Sequence, residues 1–243
     1  MYFLITVSVH AHPFEIKEIP LDSAFHGLVA TYKHLYIFLK GSNNNTEIYE
    51  IEDLGSTSPN LRFIGETPKD IIINERKTID PDEKYVYAYY YNYSNPEEIG
   101  LVIVNMSNPE DTKKLLKSDG SPLKTHYYLH SVEFKGNKAY IPEYHSIHNA
   151  CIYYANIGEY QFQLFKNITE EWINQYGVSL GIDHLHSIRF NTQKSRLYFS
   201  WNLFGGWVNM SSGEVIFLET DDEDKRRSFV CELEFNENKE MGK

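Results

Sequence analysis

With 243 residues, 42% of them hydrophobic, the chain can build a single all-β domain around a sizeable core. Its formal net charge of −11 argues against a phosphate backbone as partner, so no nucleic acid is expected. No apolar run reaches the ~18–20 residues of a membrane-spanning helix, so no transmembrane segment is expected.

Aromatic residues make up 15% of the chain, with 19 Tyr and 14 Phe, residue types that favour pleated, half-buried surfaces. In chain order, Tyr2–Val9 reads as a strand, but Val9-His10-Ala11 also ends like a signal-peptide cleavage site, so residues 1–13 keep both readings. Phe14–Leu21 reads as a second strand. Three segments then repeat one pattern: Phe25-His26-Gly27-Leu28-Val29-Ala30, Leu129-His130-Ser131-Val132-Glu133-Phe134 and Leu185-His186-Ser187-Ile188-Arg189-Phe190. Each precedes a polar turn and an aromatic-rich strand, namely Leu35–Phe38, Ala139–Pro142 and Leu197–Trp201. A fourth copy, Ile79-Asp80-Pro81-Asp82-Glu83-Lys84-Tyr85-Val86-Tyr87, lies between the first two and puts Glu75 where the others carry His26, His130 and His186.

Third strands are predicted at Thr46–Glu52, Gly100–Met106, Ala150–Ile157 and Ser228–Phe235. Fourth strands are predicted at Leu61–Thr67, Thr112–Lys117 and Tyr160–Asn167. Helical periodicity is confined to the short stretch Glu170–Tyr176. Four short strands per unit, repeated at roughly 50 residues, are the signature of a β-propeller built of four-stranded antiparallel blades. The propeller is expected over residues 14–235, with a polar tail at 236–243 and four to five blades visible. Either the N-terminal strands complete a blade with Ser228–Phe235, or the chain is a fragment of a larger propeller, because an open blade leaves unpaired edges.

Gly100-Leu101-Val102-Ile103-Val104-Asn105-Met106-Ser107-Asn108-Pro109 resembles the LVIVD repeat, with Asn105 where that family has Asp. His130-Ser131-Val132, followed by Lys135-Gly136-Asn137-Lys138-Ala139-Tyr140-Ile141, resembles the same family over residues 100–145. The resemblance implies a seven-bladed type of propeller in secreted or cell-surface proteins, and it implies no common reaction.

The first strand of each propeller blade lines a central channel, so His26, Glu75, His130 and His186 are candidates for an axial ring. Three imidazoles and a carboxylate suit a divalent metal such as Zn²⁺, Fe²⁺ or Cu²⁺. The structural alternative is that each His bonds the backbone of the neighbouring blade. His145 and His148 are expected in a solvated loop, Glu143–Asn149, on the opposite or outer rim. The tyrosine run Tyr85–Tyr93 reads either as an inter-blade core strand or as an aromatic platform for a glycan or protein. Asn44, Asn92, Asn105, Asn167 and Asn209 lie in glycosylation sequons and point to a secreted or cell-surface glycoprotein. Cys151 and Cys231 either form one disulfide or are two buried thiols. The basic cluster Lys225-Arg226-Arg227 follows Asp221-Asp222-Glu223-Asp224 and reads as a self-neutralised loop. A binding scaffold for a protein or glycan ligand is the preferred function, since no nucleophile elbow, P-loop, dinucleotide fingerprint or HExxH motif occurs. A metal-dependent propeller enzyme, oxidoreductase or lyase, and a glycan-binding propeller are the alternatives.

Overall fold

The structure, a computed structural model, describes residues 2–6, 16–20, 23–53, 59–95, 98–123, 132–146, 149–177, 185–201 and 204–218. An N-terminal hairpin joins β1 (Tyr2–Thr6) to β2 (Ile16–Pro20). Four antiparallel sheets follow. The first is β3 (Phe25–Ala30), β4 (Leu35–Lys40), β5 (Thr46–Glu52) and β6 (Asn60–Glu66), and the second is β7 (Ile71–Ile79), β8 (Tyr85–Asn92), β9 (Ile99–Asn105) and β10 (Lys113–Lys114). The chain next forms β11 (Leu116–Lys117), then the third sheet of β12 (Glu133–Lys135), β13 (Lys138–Ser146), β14 (Asn149–Asn156) and β15 (Gln161–Asn167). The fourth is β16 (Leu185–Phe190), β17 (Arg196–Trp201), β18 (Phe204–Asn209) and β19 (Val215–Leu218). Within each sheet four antiparallel strands are adjacent in sequence order, which is the blade connectivity expected of a propeller, and in the third sheet β11 adds a fifth strand beside β15.

Alternation along the second strand of a blade explains how the blades pack. In β8, Tyr87 and Tyr89 enter the core shared with the third blade, whereas Val86, Ala88 and Tyr90 enter the core shared with the first. In β13, Ala139 and Ile141 face back to the second blade and Tyr140 faces the fourth. Each central strand therefore has two apolar faces and reads as a near-continuous hydrophobic run.

Short polar side chains start the descent into the second strand in the first, second and fourth blades. The buried Asp80 accepts from the backbone N–H groups of Lys84 and Tyr85 through Oδ1, and from Asp82 through Oδ2. Asn191 does the same for Ser195 and Arg196, and Thr31 for Lys33 and His34. These bonds replace the ladder where the chain reverses.

The helix α1 (Ile168–Tyr176) covers the predicted periodic stretch Glu170–Tyr176. Asn167 caps it by accepting from Glu170 N–H at 3.1 Å, and Gly177 ends it in the left-handed conformation. Its Ile168 and Trp172 are buried in the core between the third and fourth blades, with the Trp172 ring edge-on to Phe217 at 5.0 Å.

Three expectations are corrected. The third strand of the fourth blade is β18, not Ser228–Phe235, which lies outside the described residues. Within β18, Gly206 pairs with Phe199 and Phe217, and a Cβ there would lie 2.4 Å from the Ile216 carbonyl oxygen. Thr112–Lys117 is not one strand. Lys113–Lys114 closes the second blade, while Leu116–Lys117 pairs parallel with β15 on the outer edge of the third. His145 belongs to β13 and not to a loop, with a bulge between Glu143 and Ser146. Antiparallel pairing also puts the end of a blade's second strand beside the start of its first, as Phe25 opposite Leu39 shows, so that turn is not on the opposite rim.

Candidate functional site

His26 lies on β3, and Glu75 and His186 lie on β7 and β16, the first strands of their blades. The His26 Nδ1 donates to the Ile73 carbonyl of the next blade at 3.1 Å, and Lys77 Nζ donates to the His26 carbonyl at 2.9 Å. Because a carbonyl can only accept, Nδ1 carries the proton in the neutral ring. His130, His126 and His148, and the side chains of Glu75, His145 and His186, lie outside the described residues. Among the described residues, no cluster of three metal-ligating His, Cys, Asp or Glu side chains occurs.

At the opposite end of the strands, two clefts open between blades. The first, of about 530 Å³, lies between the second and third blades. Tyr85, Asn105, Lys113, Tyr160, Gln161 and Gln163 carry its chemistry. Gly158 makes its floor possible: φ is +91°, and a Cβ would come within 2.9 Å of the Tyr85 ring. Its N–H donates to the Tyr87 hydroxyl at 3.2 Å, which ties the floor to the buried face of β8. Asn105 accepts from the Ser107 N–H at 3.0 Å and its hydroxyl at 2.7 Å. Its Oδ1 is thereby occupied, leaving the Nδ2 group to donate. Lys113 pairs with Asp111 at 3.2 Å and lies 5.6 Å from the centre of the Tyr160 ring.

The second cleft, of about 450 Å³, lies between the first and second blades and is lined by Tyr36, Arg62, Phe63, Glu83, Tyr85 and Asn105 among others. Behind it, His34 Nδ1 meets Glu50 Oε1 at 2.5 Å while its Nε2 is 3.6 Å from Glu83. Arg62 pairs with Glu50 and, at 2.7 Å, with Glu52. Burial alone would raise the Glu50 carboxyl, but hydrogen bonds from His34 and Arg62 outweigh it and hold the group below its ordinary range.

The remaining sequence candidates fall elsewhere. Cys151 is a free, buried thiol on β14, pushed up to about 12 by burial and by Glu143, and Cys231 lies outside the described residues. The Glu143 carboxylate is itself buried and paired with Lys117 at 2.7 Å. Of the tyrosine run, Tyr87, Tyr89 and Tyr90 are buried, Tyr85 lines both clefts and Tyr93 is exposed. Each sequon is tied into a local turn, cap or strand end. Asn209 accepts from Ser211 N–H and hydroxyl with the same distances as Asn105 from Ser107. Asn92 donates to Glu98 at 2.9 Å, Asn167 caps α1, and Asn44 takes a left-handed turn position next to the buried Asn45 and Thr46. Sequence reasoning picked out Tyr85 and Asn105 but not Lys113, Gly158, Tyr160, Gln161 or Gln163. The one signal for them was the recurrence of Asn at third-strand ends, at Asn105, Asn156 and Asn209.

The sequence matches no protein-family model and no curated protein. Among solved structures it is similar to a puromycin-hydrolysing peptidase of Mycobacterium tuberculosis, with 10% identity, a TM-score of 0.50, and coverage of 85% of this chain and 34% of that one. A hydrazine synthase of Kuenenia stuttgartiensis aligns at 11% identity and a TM-score of 0.49, covering 86% of this chain and 58% of that one. A puromycin hydrolase aligns at 9% identity and a TM-score of 0.49, covering 84% and 33%. The chain thus spans about a third of the length of the mycobacterial peptidase and less than two thirds of the other two. No described helix is long and apolar enough to cross a membrane. Blade connectivity, inter-blade cores and the likeness to the mycobacterial peptidase together identify the described sheets as four consecutive blades of a β-propeller.

Proposed function

We propose that this propeller is a binding module, secreted or displayed at the cell surface, whose ligand-contact surface is the cleft between the second and third blades. The observation that supports this most is the make-up of that cleft. Its volume of about 530 Å³ falls in the range of small-ligand sites, about 300–1,000 Å³. Its wall combines two tyrosine rings with amide and hydroxyl groups that both donate and accept. The sequons support an extracellular setting.

The test is a thermal-shift screen of the purified chain against soluble glycans and peptides, followed by titration of each hit against Asn105→Ala and Tyr160→Ala. A ligand whose affinity falls about tenfold or more in both variants is expected. A ligand bound equally well by both variants and by the parent protein would place recognition elsewhere and overturn the reading.

A further inference from the structure

The two clefts share a boundary. Tyr85 and Asn105 line both, and these two residues are cross-strand partners in β8 and β9. They form a single rung across the second blade, with one cleft on each side. We infer that the two clefts form one trough, running from Phe63 past Tyr85 and Asn105 to Tyr160, that takes a neutral linear oligosaccharide. This rests on the reading of the inter-blade cleft as a ligand site and specifies its occupant.

Three observations select that chemistry. First, aromatic rings are spaced along the trough. Phe63 is 53% exposed at one end and Tyr160 is 39% exposed at the other, with Tyr85 between them. Exposed rings at intervals offer flat apolar faces to the C–H faces of successive sugar rings. Second, beside the charged Arg62, Glu83, Lys84, Asp111, Lys113 and Glu159, the lining carries a set of amides and hydroxyls: Asn105, Ser107, Ser118, Gln161 and Gln163. Taken together they offer both donors, such as the Asn105 Nδ2 group, and acceptors, and so match sugar hydroxyls, which do both. Third, the cationic groups of the lining are paired with carboxylates, Arg62 with Glu50 and Glu52, Lys113 with Asp111 and Lys84 with Asp82. A polyanionic chain would find few uncompensated positive charges, on a protein that carries −11 overall.

An extended peptide is disfavoured by the backbone. Peptides bound along a sheet edge need a free row of N–H and C=O groups. Along the first cleft the edge of β9 at Val102 and Ile103 is taken by β10, and the edge of β15 at Gln161 and Phe162 is taken by β11. Recognition there must come from side chains. Each cleft is large enough for a short piece of a chain, and the shared rung lets one chain occupy both.

Isothermal titration with cello-, chito-, manno- and xylo-oligosaccharides of two to six units, and with a heparin hexasaccharide, tests this. At least one neutral series should gain about tenfold in affinity between the dimer and the hexamer, and heparin should bind more weakly. Phe63→Ala should weaken the hexamer about fivefold or more and leave the dimer unchanged, because the dimer fits the cleft at Tyr160. Tyr160→Ala should weaken both. An unchanged melting temperature for each variant keeps the comparison clean, since both rings are substantially exposed. Affinity that stays flat with chain length, or a hexamer indifferent to Phe63→Ala, overturns the trough. If no sugar series binds but another ligand is lost in Asn105→Ala and Tyr160→Ala, the oligosaccharide falls while the cleft reading stands. A ligand insensitive to both sinks the two together.

Discussion

Glu50 anchors a polar network in the first blade, and His34 carries that network towards the second. It accepts from His34 at 2.5 Å and from Arg62, and His34 in turn lies 3.6 Å from Glu83 on the turn of the next blade. Burial opposes the ionised form, yet the two donors keep the carboxyl below its ordinary range. A depressed folded value stabilises the protein above the unfolded value, near ~4.3, and the contribution is lost as pH falls through the folded value. Glu50→Gln should therefore lower stability at pH 7, by about 1 kcal/mol given the exposed Arg62 partner. The gap between parent and variant should narrow as pH falls from about 6 to about 3. Melting curves across that range check it, and a gap that widens on acidification refutes it.

At the scale of elements, polar turns do as much as apolar strands. Asp80 is buried and holds three backbone N–H groups within one turn. Asp80→Ala would leave these donors short of partners and should cost about 2 kcal/mol, read as a shift in denaturant midpoint. An effect below ~0.5 kcal/mol would mean that water replaces the carboxylate. These turns are why so much of the fold was legible. Asp80, Asn191 and the aromatic runs after them mark the strand pairs in any copy of the repeat. Legibility failed where local composition contradicts the tertiary role. The sequence reading puts the third strand of the fourth blade at Ser228–Phe235 and passes over β18, where closeness to Ile216 and Phe199 requires a glycine at 206, a residue type depleted in strands. The cleft was less visible still. Tyr160, Gln161 and Lys113 carry no local motif, and they meet only because β10 and β15 belong to adjacent blades. The proposed histidine ring has the same dependence on distant parts of the chain, and of its members only His26 has a described side chain, bonded to the neighbouring blade.

Across the described residues, three of the four apolar cores lie between blades, and the fourth, Leu35, Ile37, Leu39 and Ile51, draws on the first blade alone. Such arrays depend on nearest-neighbour contacts. The second and third blades gain a further tie from β11, which leaves the second blade and lies parallel along the edge of the third, with Leu116 N–H donating to the Tyr160 carbonyl at 2.8 Å. Leu116→Pro removes that donor next to the proposed ligand cleft. It should destabilise the protein by about 1–3 kcal/mol and speed amide exchange in β11 and β15 more than in β8. Equal exchange in all three strands would show that the strap contributes nothing local.

The two-faced central strands also bear on how a chain like this one changes length over generations. Val86, Ala88 and Tyr90 serve one core and Tyr87 and Tyr89 another, on the same eight-residue strand. Inserting one residue in the middle of β8 would exchange the downstream side chains between two cores at once, with no solvent face to absorb the error. Insertions and deletions are therefore best absorbed in the connectors and at bulges such as the one between Glu143 and Ser146. The connector from β6 to β7 is Thr67–Asp70, while the one from β15 to β16 accommodates the whole of α1. Drift in length is thereby channelled onto the rims of the propeller, where new recognition loops can arise without disturbing the blades.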